Sequence, residues 1–190
     1  MSLEEYSEYL QSRRWTGDLY RRRWLYPRLR RHLKGRTLDI GAGIGDMLAF
    51  RPGTEGVDIN PQLVAYCRSR GFDIDLMGMD GSLPHPDNVF ASVLLDNVLE
   101  HVADPASLLA EIRRVLIPQG TLLVGVPGER GFAADSDHKR FYTYPDLVHT
   151  VGEYGFIEKA SFAMPLWRSP VLSRKLRMYC EYVHFQAPAV

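Results

Sequence analysis

A chain of 190 residues can bury one full core but is short for two independent ones, so it reads as a single domain. Its 23 Lys and Arg balance 23 Asp and Glu, which removes any global pull toward nucleic acid or acidic lipid; 45% hydrophobic and 24% charged residues are ordinary globular values. Cys67 and Cys180 offer neither a disulfide framework nor a zinc spacing, no apolar run approaches the roughly 18 residues of a membrane helix, and the start Met1-Ser2-Leu3-Glu4-Glu5 is acidic, so no secretion leader is expected there. A soluble cytoplasmic protein is expected; a homodimer is compatible with the sequence, which does not set the oligomeric state.

Residues 1–35 form the first expected unit, a helical arm. Trp15, Leu19, Tyr26, Leu29 and Leu33 recur at helical spacing, and Pro27 is placed to start the last helix. Residues 13–36 also gather Arg13, Arg14, Arg21, Arg22, Arg23, Arg28, Arg30, Arg31, Lys34 and Arg36 against Asp18 alone. Such a charge run is either a solvated helix face or a dock for an anionic substrate. Trp15, Tyr20 and Trp24 are candidates for closing a pocket or packing the core.

From residue 37 the pattern becomes strand and helix in alternation. Strands are expected at 37–40, 56–59, 73–79, 91–95 and 121–126, with helices near 46–50, 61–70 and 108–116, the last stopped by Pro118 and Gly120. Two later strands are expected at 156–163 and 178–185. Alternation of this kind calls for a parallel, doubly wound sheet with ligands at the carboxyl ends of its strands.

The first strand runs into Asp39-Ile40-Gly41-Ala42-Gly43-Ile44-Gly45, a glycine turn before a helix, where backbone can approach a ligand closely. The spacing is Gly-x-Gly-x-Gly, and Asp46 stands where a dinucleotide fingerprint wants its third glycine. Asp58 ends the second strand, where a carboxylate can accept hydrogen bonds from both hydroxyls of a ribose.

These stretches, with Gly78-Met79-Asp80, Asp96-Asn97-Val98-Leu99-Glu100-His101-Val102 and Leu116-Ile117-Pro118-Gln119-Gly120, resemble the class I S-adenosylmethionine-dependent methyltransferases of the small-molecule type. The resemblance covers about residues 36–160. It implies a Rossmann-like α/β fold with a mostly parallel seven-stranded sheet, an N-terminal arm (1–35) belonging to the single domain, and a methyltransferase domain (36–190). It further implies S-adenosyl-L-methionine as cofactor: Asp39, Gly41, Ala42 and Gly43 around its methionine portion, Asp58 and Ile59 at the ribose, Asp80 and Gly81 at the adenine, and Asp96 and Asn97 beside the sulfonium.

His101 is the candidate general base, because imidazole titrates near neutrality and this residue follows the fourth strand. His138, Arg140 and Tyr142, on the loop after the fifth strand, are the substrate-side candidates. Thr143 and Asp146 form a capping-box pair for the next helix. Asp135, Asp137 and His138 make no recognisable metal-ligand set, so no metal is expected. The chain lacks an Asn-Pro-Pro-Tyr or Asp-Pro-Pro-Tyr motif and a Pro-Cys nucleophile, which favours a small-molecule acceptor, through oxygen or nitrogen, over nucleic acid. A silent cofactor-binding module, a methyltransferase of RNA or of a lipid-linked anionic substrate, and a nicotinamide oxidoreductase are the competing readings.

Overall fold

The computed structural model describes residues 15–189. Arm positions before Trp15, Arg13 and Arg14 among them, lie outside the described residues, as does the Trp15 side chain. The arm comprises α1 (Trp15–Tyr20), a π-helical turn (Arg21–Leu25) and α2 (Tyr26–Arg30). Pro27 lies in the first turn of α2, where a missing amide donor leaves no helix bond unmade. Leu25, Tyr26, Leu29 and Leu33 bury their side chains with Leu94, Leu123 and Tyr182, whereas Leu19 is half exposed.

The remaining strands are β1 (Thr37–Ile40), β2 (Thr54–Asp58), β3 (Ile74–Leu76), β4 (Phe90–Asp96), β5 (Leu116–Pro127), β6 (Ile157–Met164) and β7 (Cys180–Gln186). Between them run α3 (Asp46–Phe50), α4 (Pro61–Ser69), α5 (Ala106–Val115), α6 (Glu129–Phe132), α7 (Tyr144–Gly152) and α8 (Pro170–Lys175). A 3₁₀ turn at Leu99–His101 follows β4. The seven strands order as β3-β2-β1-β4-β5-β7-β6, with β7 antiparallel to both of its neighbours.

Along β4, Val93 and Leu95 pack into the larger core with Ile112 of α5 and Leu147 of α7, while Leu94 points to the opposite face and the arm. This alternation places helices on both sides of the sheet. Strand order reverses at β1, which pairs parallel with both β2 and β4, so the ligand crevice of an open α/β sheet belongs between β1 and β4.

Among the boundaries that differ from the sequence expectation, three bear on the sheet around β5 and its edge. The edge strand β3 is only Ile74–Leu76, because its sole ladder is with Gly56–Asp58 of β2. Helix α5 ends at Val115, before Pro118 acts, and Leu116 is already extended opposite Phe90. An irregular stretch with Gln119 at φ 61° then leads into the regular ladder at Thr121.

Candidate active site

A cleft of about 990 Å³ opens at the carboxyl ends of β1 and β4. Asp39, Gly41, Ala42, Gly43, Asp96 and Asn97 form part of its wall, and His101 and His138 line it as well. The arm contributes Tyr20, Arg21 and Tyr26. Arg21 Nε lies 3.1 Å from Asp46 Oδ2, an ion pair without the alignment of a hydrogen bond, and it ties the arm to the start of α3.

Gly41 and Gly43 adopt φ of +71° and +57°, the left-handed region that glycine enters without a Cβ penalty. A Cβ on Gly41 would fall 2.5 Å from Val98 Cγ2, so the turn is pressed against the segment after β4. Asp58 at the end of β2 is buried and accepts from the Gly43 amide at 2.9 Å through Oδ2 and from the Asn60 amide at 2.9 Å through Oδ1. Burial raises its pKa and these amides pull it back.

The wall is acidic. Asp39 is buried, and desolvation followed by repulsion from Asp96, Asp58 and Asp46 holds its pKa well above the ordinary carboxylate value. Asp96 Oδ1 accepts from the Tyr182 hydroxyl at 2.8 Å and from Asn97 Nδ2 at 2.9 Å. Asn97 is at φ 56°, a conformation asparagine tolerates better than most residues.

Asp58, Ile59, Asp80 and Gly81 stand outside the lining of this cleft, at the ends of β2 and β3. Asp80 is an exposed turn acid whose Oδ1 accepts from the Ser82 hydroxyl and amide at 2.7 and 3.0 Å; those bonds lower its pKa.

His101 lies on the 3₁₀ turn, its pKa lowered by burial and then by His138. The two rings meet edge to face at 4.6 Å. Glu100 between them is fully buried, and neither carboxylate oxygen has a hydrogen-bond partner among the described residues. Burial pushes its carboxyl up to about 8, helped by Asp96 and Asp135. The loop residues Lys139 and Arg140 donate their amides to the Glu100 carbonyl at 2.7 and 3.1 Å, which docks the His138 segment on the turn.

Two substrate-side candidates are not brought to the cleft. Tyr142 is buried in the main core, and Arg140 turns outward to Thr150 Oγ1 at 3.3 Å while stacking over the Tyr142 ring. Trp24 is also elsewhere: it is 58% exposed in a second groove of about 680 Å³, its indole N–H donating to the Pro165 carbonyl. The structure adds Tyr182 and Cys180 to the site, both from β7. Sequence pattern marked a strand there but not its insertion beside β5.

A family profile described as a methyltransferase domain matches residues 38–124. The demethylmenaquinone methyltransferase of Thermus thermophilus is 37% identical over 100 residues, covering 47% of this chain and 46% of that one. A ubiquinone/menaquinone biosynthesis C-methyltransferase of Desulfotalea psychrophila is 35% identical over 95 residues, covering 45% and 39%. The chain spans about half the length, or less, of these curated relatives. A SAM-dependent methyltransferase from Aquifex aeolicus superposes with a TM-score of 0.70 at 14% identity, covering 98% of this chain and 99% of that one, a likeness of fold. With the motif-bearing core, the sheet order and these relatives in agreement, residues 38–124 carry a methyltransferase domain of the class I S-adenosylmethionine-dependent type.

Proposed function

We propose that the chain transfers a methyl group from S-adenosyl-L-methionine to a small-molecule acceptor, through oxygen or nitrogen, in the cleft between β1 and β4. The observation that carries this reading is the acidic wall. Asp39, Asp46 and Asp96 line the cleft, and burial, followed by repulsion from Asp96, Asp58 and Asp46, holds the Asp39 carboxyl well above the ordinary carboxylate range. A cationic group beside Asp39 relieves that repulsion, and a pyrophosphate at the same place would add to it, although Arg130, Lys175 and Arg177 line the cleft as well.

The residues fit the cofactor. Gly41, Ala42 and Gly43 are assigned its methionine portion, Asp39 and Asp96 its positive charges, and Asp58 with Ile59, beside the cleft rather than in its lining, the ribose. Asp80 and Gly81 are assigned the adenine edge. S-adenosylmethionine supplies an electrophilic methyl group when bound. The protein's task is then to align the acceptor in line with it and to exclude water, which the arm does by covering the cleft with Tyr20 and Tyr26. His101 also lines the cleft, where, with no ion on its ring, it can take the acceptor's proton.

A second reading has its own support. Arg23, Arg28, Arg31 and Arg168 surround the outer groove together with Trp24 and Trp167, which suits an anionic acceptor such as RNA or a lipid-linked phosphate. Binding that collapses with added salt would favour it.

Calorimetric titration with S-adenosylmethionine, S-adenosylhomocysteine and a nicotinamide dinucleotide tests the main proposal. Selective binding of the sulfur nucleosides is expected. Preference for the dinucleotide would overturn it.

A further inference from the structure

We infer that Glu100, His101 and His138 form a binding site for one divalent first-row transition-metal ion, at the acceptor end of the cleft. Each residue offers one ligand atom, and the three atoms lie within 4.8 Å of one another. The set is one carboxylate oxygen and two imidazole nitrogens, which suits Zn²⁺, Co²⁺, Ni²⁺ or Fe²⁺ and disfavours the all-oxygen preference of Ca²⁺ and Mg²⁺.

Three observations carry the assignment. Glu100 is fully buried with both carboxylate oxygens unpartnered among the described residues, which is costly unless something satisfies them. The His138 Nδ1 is 2.8 Å from the Phe132 carbonyl. A carbonyl only accepts, so Nδ1 carries the proton and Nε2 presents its lone pair; Nε2 is 3.8 Å from Glu100 Oε1. In the ionised form that ligation requires, Glu100 and His138 present two acceptors across that gap, which leaves space for a cation between them. His101 is held in the same way, one ring nitrogen donating to the Asp137 carbonyl. Metal-bound histidines are characteristically oriented by such bonds from their other nitrogen to a backbone carbonyl.

The ligands come from two segments, the turn after β4 and the loop after α6, so local spacing hides the set. The backbone bonds from Lys139 and Arg140 to the Glu100 carbonyl bring the segments together. His101 and His138 both line the cleft, so the remaining coordination positions of an ion there face it. A hydroxyl or carboxylate oxygen of the acceptor is the group such an ion would take. That last step rests on the methyltransferase reading, whereas the ion site itself does not.

The test uses the full, untagged chain stripped with a chelator, titrated with Co²⁺ and followed by its visible d–d absorption, then with Zn²⁺ as competitor. One Co²⁺ per chain is expected, displaced by Zn²⁺. Glu100→Gln and His138→Ala should each weaken binding by about tenfold or more, and His149→Ala, at an exposed His149–Glu153 pair on the surface, should not change it. Calorimetry with S-adenosylhomocysteine on the same proteins reports whether the cofactor pocket is intact. No absorption in the wild type, or an unchanged affinity in both ligand variants, overturns the site. Should Glu100→Gln fail to fold, His101→Asn takes its place under the same criterion. Cobalt binding without S-adenosylhomocysteine binding would sustain the ion site while removing the methyltransferase reading.

Discussion

The amide of Gly43 donates to Asp58 Oδ2 at 2.9 Å, so the acid assigned to the ribose also holds the glycine turn in shape. The two roles separate by substitution. Asp58→Asn keeps an acceptor oxygen for an amide but loses the charge; Asp58→Ala loses both. Asp58→Ala is expected to weaken S-adenosylhomocysteine binding by on the order of 1 to 3 kcal/mol and to lower the melting temperature, the range for a buried donor left unsatisfied. Asp58→Asn should keep more of the stability than of the affinity. Calorimetry and thermal denaturation on the two variants check this, and equal affinities for wild type and Asp58→Ala would remove the ribose assignment.

The Tyr182 hydroxyl donates to Asp96 Oδ1 at 2.8 Å across β5, and Gly125 directly beside it has no side chain to obstruct the ring. A Cβ at Gly125 would collide with Tyr182 Cε1. Tyr182→Phe removes one charge-assisted bond from a buried position, so a loss of about 1.5 to 3 kcal/mol is expected. Denaturant unfolding is the measurement. An unchanged midpoint would mean that Asp96 finds a replacement donor.

Much of this architecture is legible before the fold is seen, and the reasons are local. The bounds of β1 follow from Thr37-Leu38-Asp39-Ile40 ending at glycines, and the Thr143–Asp146 capping box at the start of α7 follows from side-chain chemistry three residues apart. Features made by distant segments are not legible this way. Tyr142 sits next to Arg140 in a polar loop, yet tertiary packing takes its ring into the core and leaves Arg140 outside. Tyr182 reaches Asp96 only because β7 runs antiparallel between β5 and β6. Glu100 reads as half of an ordinary Glu-His pair until its burial is known.

His184 on β7 and His32 after α2 meet edge to face at 5.4 Å. Burial lowers the pKa of each; cationic neighbours add to it, Lys34 and Lys159 at His184, and His184, Arg28 and Arg31 at His32. Both folded-state values therefore lie below the ordinary 6.5. On acidification the unfolded chain takes up these protons first, so stability is whole above about pH 6.5 and falls as pH drops through the folded values. His184→Gln is expected to flatten that acid limb. Melting temperatures at about pH 7.5 and pH 5 for both proteins give the comparison, and parallel losses would assign the acid sensitivity to other groups.

The arm is held over the cleft by charge as well as by packing. Arg21 Nε is 3.1 Å from Asp46 Oδ2, and both side chains are largely shielded from solvent at 18% and 16% exposure. Arg21→Met keeps much of the apolar stem but strands Asp46 in an already acidic wall, beside Asp39 and Asp96. A loss of about 1 kcal/mol is expected, between the value of an exposed pair and that of a buried one. The arm should then leave the cleft more often, and protease cleavage between residues 15 and 25 should accelerate by about fivefold, the factor that 1 kcal/mol sets on a local opening equilibrium. Because a cationic cofactor neutralises the same wall, S-adenosylmethionine should restore protection in the variant. Equal cleavage rates for variant and wild type without cofactor would show that Leu25, Tyr26 and Leu29 hold the arm without help from the ion pair.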